Sequence, residues 1–151
     1  MGETEDERIA RNWDEILQEL RVTQTGTQIL LGFLLTIPFQ TAFRDLDGTQ
    51  VTVYLTLVIV AAVATVLALS PVALHRALFR RGAKPQLVRA AHILLRLALA
   101  AISLALSGTV FLIFDVVIDH PAALVAGGAT LALTVVMWVV LPSALRGPPD
   151  E

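Results

Sequence analysis

Long apolar runs separated by short polar segments set the pattern of this chain. Four runs stand out, at residues 25–43, 51–69, 97–118 and 122–141. Each has about the twenty residues that a helix needs to cross a hydrocarbon core of ~30 Å. Several are rich in Val and Ile, but this does not argue for strands. A single apolar run in lipid must satisfy its own backbone, and a helix does so. The third run, LALAAISLALSGTVFLIFDVVI, carries one formal charge, Asp115, near its far end. The expected fold class is all-α, a bundle of four transmembrane helices.

The polar segments punctuate these helices. In residues 1–24, Asn12 is a plausible helix cap with Glu15 three residues on. Trp13, Ile16, Leu17 and Leu20 then recur at helical spacing, while Asp14, Glu15, Gln18, Glu19 and Arg21 take the other face. This predicts an N-terminal amphipathic helix, followed by TQTGTQ (23–28) as a polar collar. Lipid-binding surface helices favour Lys and Arg, so an acidic face predicts packing on the chain's own basic loop instead. Pro38 predicts a kink or early end to the first span. RDLDGTQ (44–50) reads as a turn. The second helix is expected to run past Ser70-Pro71 toward Arg80, GAKP (82–85) to break the chain, and the third helix to start at Gln86. Asp119 is expected to cap the fourth helix, with Pro121 in its first turn. Leu141-Pro142 is expected to end it, leaving 142–151 as a short tail.

Composition agrees with the pattern. The chain has 151 residues, 56% hydrophobic and 16% charged, against about 25% charged in a soluble domain. No ordinary soluble domain fits beside four spans. There is no cysteine, which excludes disulfides, thiolate metal sites and cysteine nucleophiles. Asp14, Glu15 and Glu19 ahead of the first run do not fit the basic start of a secretory signal, so the N-terminal segment is expected to be retained.

Charge placement sets the expected orientation. With four spans, both termini share a side with the loop between the second and third. Of the 11 Lys and Arg, Arg44 alone falls on the other side. The positive-inside rule then places both termini and the basic loop in the cytoplasm. The expected location is the cell inner (plasma) membrane, as a multi-pass protein.

The chemistry-bearing residues are few. Asp115, Asp119 and His120 cluster at the end of the third span and form the candidate ion or proton site, since an ionisable group in an apolar span is costly and often functional. A metal site there would need a further ligand, from Asp45, Asp47 or another subunit, and none is assigned. Gln28, Thr36 and Gln40 are candidates for a polar path along the first helix; the alternative is hydrogen bonding between helices. Arg89, His92 and Arg96 share one face and are assigned to lipid headgroups or the cytoplasmic interface. A sharper reading pairs them with Asp14, Glu15 and Glu19. No nucleophile–base pair, phosphate-binding loop or paired catalytic carboxylates is visible, so neither an enzyme nor a cofactor is expected.

At NWDEILQELRVTQTGTQILLGFLLTIPFQ, and again at PVALHRALFR and FDVV, the chain resembles a family of small actinobacterial integral membrane proteins of unknown function. Members of that family are sometimes labelled sodium:proton antiporters. The resemblance covers nearly the whole chain and implies a four-helix membrane fold. It carries no motif that assigns a mechanism, and the paired broken helices of large antiporters are not seen.

These readings lead to two expectations. One is a small cation or proton transporter or channel. A bundle this small encloses little volume, so it would act as a homo-oligomer packed through the small residues Ser103, Ser107, Gly108, Gly127 and Gly128. The alternative is a non-transporting scaffold or accessory subunit of a membrane complex. The lipid bilayer is a partner in both, and nucleic acid in neither.

Overall fold

A computed structural model describes residues 5–78 and 84–145. Among them the chain is helical apart from short connections near residues 40, 46–47 and 118–119, with no strand. We label the long helices α1 (Glu5–Thr36), α2 (Gly48–Leu78), α3 (Lys84–Val117) and α4 (His120–Val135). A π-helical turn (Val136–Val140) and a short helix α5 (Leu141–Leu145) continue α4. The four-helix, all-α bundle expected from the sequence is present.

Four segments are long and apolar enough to cross a membrane: Leu17–Phe39, Gly48–Leu74, Arg89–Val117 and His120–Leu145. Their outer surfaces are apolar. Phe33, Ile59, Val66, Val117, Val125 and Leu133 are all largely exposed, the reverse of a water-soluble surface.

The chain runs up, down, up, down. Tyr54 of α2 reaches Leu34 of α1, Gln50 meets Asp115, and Ser103 meets Thr134. Low numbers on one helix thus pair with high numbers on the next, which makes neighbours antiparallel. α1 and α3 lie side by side and parallel, with Leu20 packed against Ala91 and Leu95. α3 is central: it packs on α1, α2 and α4. One end of the bundle holds the two short turns; the other holds Arg89, His92 and Arg96.

Small side chains let the helices close. Ala61, Ala64 and Ala68 of α2, Ala98 and Ala105 of α3 and Ala123 of α4 are each at most 1% exposed. The larger core group, Leu34, Tyr54, Leu57 and Leu112, sits toward the turn end. The small-residue surface from which self-association was expected is mostly spent inside the protomer. Ser103, Ser107 and Gly127 are buried, and a Cβ on Gly108 would strike Leu57.

Several expected boundaries move. Asn12 lies inside a helix rather than at its start, because α1 already runs from Glu5. The amphipathic segment, the TQTGTQ collar and the first span form one unbroken helix. The threonines do not break it, because Thr25 and Thr27 donate their hydroxyls to Arg21 O and Gln24 O of the same helix. The first apolar stretch therefore spans Leu17–Phe39 rather than 25–43. α1 does end early at Pro38, passing into a 3₁₀ turn at Ile37–Phe39. Pro38 has no N–H for Leu34 O, its helical partner; the Tyr54 hydroxyl supplies the donor instead, at 2.8 Å. The fourth helix does not stop at Leu141-Pro142. The π turn sits where the Pro142 ring would otherwise crowd the carbonyl of Trp138, so the wider turn accommodates the proline.

The break expected at 82–85 falls largely, and the tail after 145 wholly, outside the described residues. So do the side chains of Trp13, Asp14 and Ile16.

Candidate functional site

The turn end gathers three helix termini into one polar cluster. It begins with a cap. Asp47 precedes α2, and its Oδ1 accepts from Thr49 N at 2.7 Å and Gln50 N at 2.8 Å. Gln50 returns the bond: its Oε1 accepts from Asp47 N at 3.1 Å. This is a reciprocal capping box. It fixes the Gln50 amide, because the oxygen faces the Asp47 N–H and the nitrogen must face the other way. That nitrogen donates to Asp115 Oδ2 on α3 at 2.9 Å.

The second carboxylate oxygen, Oδ1, lies 2.7 Å from His120 Nδ1. An ionised carboxylate only accepts, so in that state Nδ1 carries the proton. The Asp115 side chain is 13% exposed and the His120 side chain 66%. His120 is held on its other flank by Phe111, edge to face at 5.6 Å between ring centres. Asp119 is a different kind of residue. Its Oδ1 accepts from Ala122 N at 2.8 Å and caps α4, with Pro121 in the first turn, as expected.

Asp115 and His120 thus come together, with Asp119 beside them as a cap. Among the described residues no three His, Asp or Glu side chains converge as a metal-sized group. The residue that the sequence reading missed is Gln50. Its local signal is the Asp-x-x-Gln spacing ahead of an apolar run, which announces a capping box. Its bond to Asp115, 65 residues away, has no local signal.

The other candidates lie elsewhere. Gln28, Thr36 and Gln40 are exposed on the bundle surface. Thr36 donates to Phe33 O in its own helix at 2.7 Å. The three form no polar path inside the bundle. Between the cluster and the opposite end the interior is filled by Leu57, Ala61, Ala98 and Ala105.

Arg89, His92 and Arg96 are all exposed along α3. The expected pairing with acids of α1 is not found for Glu15 or Glu19, both exposed and without an ion pair to Arg89 or Arg96. The contact between these segments is apolar: Leu17 and Leu20 pack against Ala91, Leu95 and Leu99. Burying these chains removes apolar surface at ~25 cal/mol per Å², whereas an exposed ion pair adds little.

A family model for a family of unknown function (DUF6328) matches residues 2–142, and the chain belongs to that family. No curated protein and no solved structure matches the chain significantly.

Proposed function

We propose that this family member is a multi-pass membrane protein whose Asp115–His120 pair exchanges a proton at one membrane face. It would thereby serve cation or proton movement as a homo-oligomer. The observation that carries the reading is the two-sided hold on Asp115. Gln50 and His120 each engage one oxygen of a largely shielded carboxylate, while the exposed imidazole connects it to water. His120 takes a proton from water at Nε2 as it gives the one on Nδ1 to Asp115 Oδ1, and the reverse transfer returns it. Histidine suits this step because its two ring nitrogens let a proton enter at one and leave at the other. The cation bias along the chain supports an orientation with this end outside the cytoplasm. Among the described residues the tightly packed, largely apolar interior offers no path across, so passage would run between subunits.

That apolar interior also favours a second reading, a non-transporting scaffold or accessory subunit in which the cluster only fixes helix ends. Ion flux in proteoliposomes separates the two. The transport reading expects proton or Na⁺ flux from wild type and its loss in Asp115→Asn. Flux that survives Asp115→Asn keeps transport and removes the site. Absence of wild-type flux under Na⁺, K⁺ and pH gradients leaves the scaffold reading.

A further inference from the structure

At the end opposite the polar cluster, a groove of about 580 Å³ runs between α3 and the stretch from α4 to α5. Its size lies within the ~300–1,000 Å³ of sites that hold small organic ligands. The lining is graded. Leu104 and Leu131 form the inner part, and Arg96, Trp138, Pro142 and Ser143 form the end toward the bundle's basic face. From Leu131 to Ser143 the helical rise gives the groove a length of roughly 18 Å.

Most polar atoms along the groove are already engaged. Ser103 and Thr134 hydrogen-bond each other across it, and Ser143 donates its hydroxyl to its own helix. To a ligand this wall behaves as apolar. Arg96 is the exception. It is exposed, and among the described residues no carboxylate pairs with it. Its guanidinium offers five donors in a fork that matches phosphate. Trp138 stands nearby within the π turn. Tryptophan favours the headgroup level of a bilayer, and π turns recur at functional positions.

We propose that this groove is a specific site for one anionic phospholipid. An acyl chain lies along α3 and α4, and the phosphate meets Arg96. The charge complementarity, the apolar length and the position at one end of the spans together select a lipid. His92 and Arg89, one and two turns before Arg96 on α3, do not line the groove. They meet headgroups only diffusely.

The test uses Trp138 as reporter. With Trp13→Phe as background, the full chain is reconstituted in phosphatidylcholine vesicles doped with acyl-brominated phosphatidylglycerol or acyl-brominated phosphatidylcholine. The anionic lipid is expected to quench Trp138 at about a tenfold lower mole fraction, the effect of one charge-assisted hydrogen bond. Arg96→Gln is expected to abolish that preference, and Arg89→Gln to keep it. Ala100→Phe fills the groove and is expected to weaken quenching by both lipids. Leu104→Phe serves the same purpose if Ala100→Phe fails to fold, as judged by helicity and elution volume. Equal quenching by the two lipids overturns the proposal, as does equal loss on Arg89→Gln. Displacement of the brominated lipid by soluble glycerol phosphate overturns it too, since the headgroup alone would then account for binding.

Discussion

Two adjacent glycines on α4 offer a sharp test of the packing. A Cβ on Gly127 would lie 2.8 Å from Phe111 Cβ, 3.2 Å from Ser107 O and 3.4 Å from Phe111 Cα, while a Cβ on Gly128 would meet nothing within 4 Å. The crowded atoms at Gly127 are backbone or the root of a side chain, so no rotamer change relieves them. Gly→Ala in a helix interior gains up to ~1 kcal/mol of propensity at either position. That gain cancels when the two variants are compared. What remains at Gly127 is overpacking, about 1–3 kcal/mol. Gly127→Ala is therefore expected to be less stable than Gly128→Ala by about 1–3 kcal/mol, and Gly128→Ala to be at least as stable as wild type. Gly108→Ala should fall between them, because the atom it meets, Leu57 Cδ2, is the tip of a side chain that can turn away. Unfolding in detergent micelles, followed by pulse proteolysis, measures all three. Equal stability of Gly127→Ala and Gly128→Ala would refute the close α3–α4 approach.

Three further outcomes follow from side-chain hydrogen bonds. Tyr54→Phe is expected to cost about 1–3 kcal/mol by leaving Leu34 O without its donor; Pro38→Ala, which restores an N–H at that place, should recover part of the loss in the same proteolysis assay. Thr134→Val leaves the buried Ser103 hydroxyl without its partner across the helix pair, so it should destabilise by about 1–2 kcal/mol, while the double variant Ser103→Ala/Thr134→Val should cost less than the two singles summed. Gln50→Leu removes both its cap and its bond to Asp115, and a loss of about 1–3 kcal/mol is expected from the thermal midpoint in detergent.

The helices were legible because their signals are local. Four apolar runs, Pro38 as a stop and Asp119 as a cap all act within a few residues of themselves, and each appears in the fold. The misplaced features are those where a polar residue found a partner other than the one its type suggests. TQTGTQ (23–28) reads as a collar between two segments, but Thr25 and Thr27 bond back along one continuous α1. Pro142 looks like an end, but the π turn absorbs it. Glu15 and Glu19 look like partners for Arg89 and Arg96, yet Leu17 and Leu20 make the contact, because apolar burial outweighs exposed ion pairs. Of the site, Asp115 and His120 could be read directly, since they lie only five positions apart. Gln50 could not, since the bond depends on how α2 docks against α3.

Gln50 also makes it possible to separate the two roles open to the cluster. As a lock, the cluster ties the start of α2 to the end of α3 and the start of α4, and every member should matter for stability. As a proton site, only the titrating pair should matter for flux. Asp115→Asn keeps an acceptor oxygen for the Gln50 amide, so it disturbs the lock least while abolishing the carboxylate. Gln50→Leu does the reverse, leaving Asp115 and His120 paired but cutting the tie to α2. A chain that loses flux in Asp115→Asn yet keeps it in a destabilised Gln50→Leu uses the pair for protons and the glutamine for architecture. Stability losses in both variants, with no flux to lose in wild type, would make the whole cluster a clasp for helix ends.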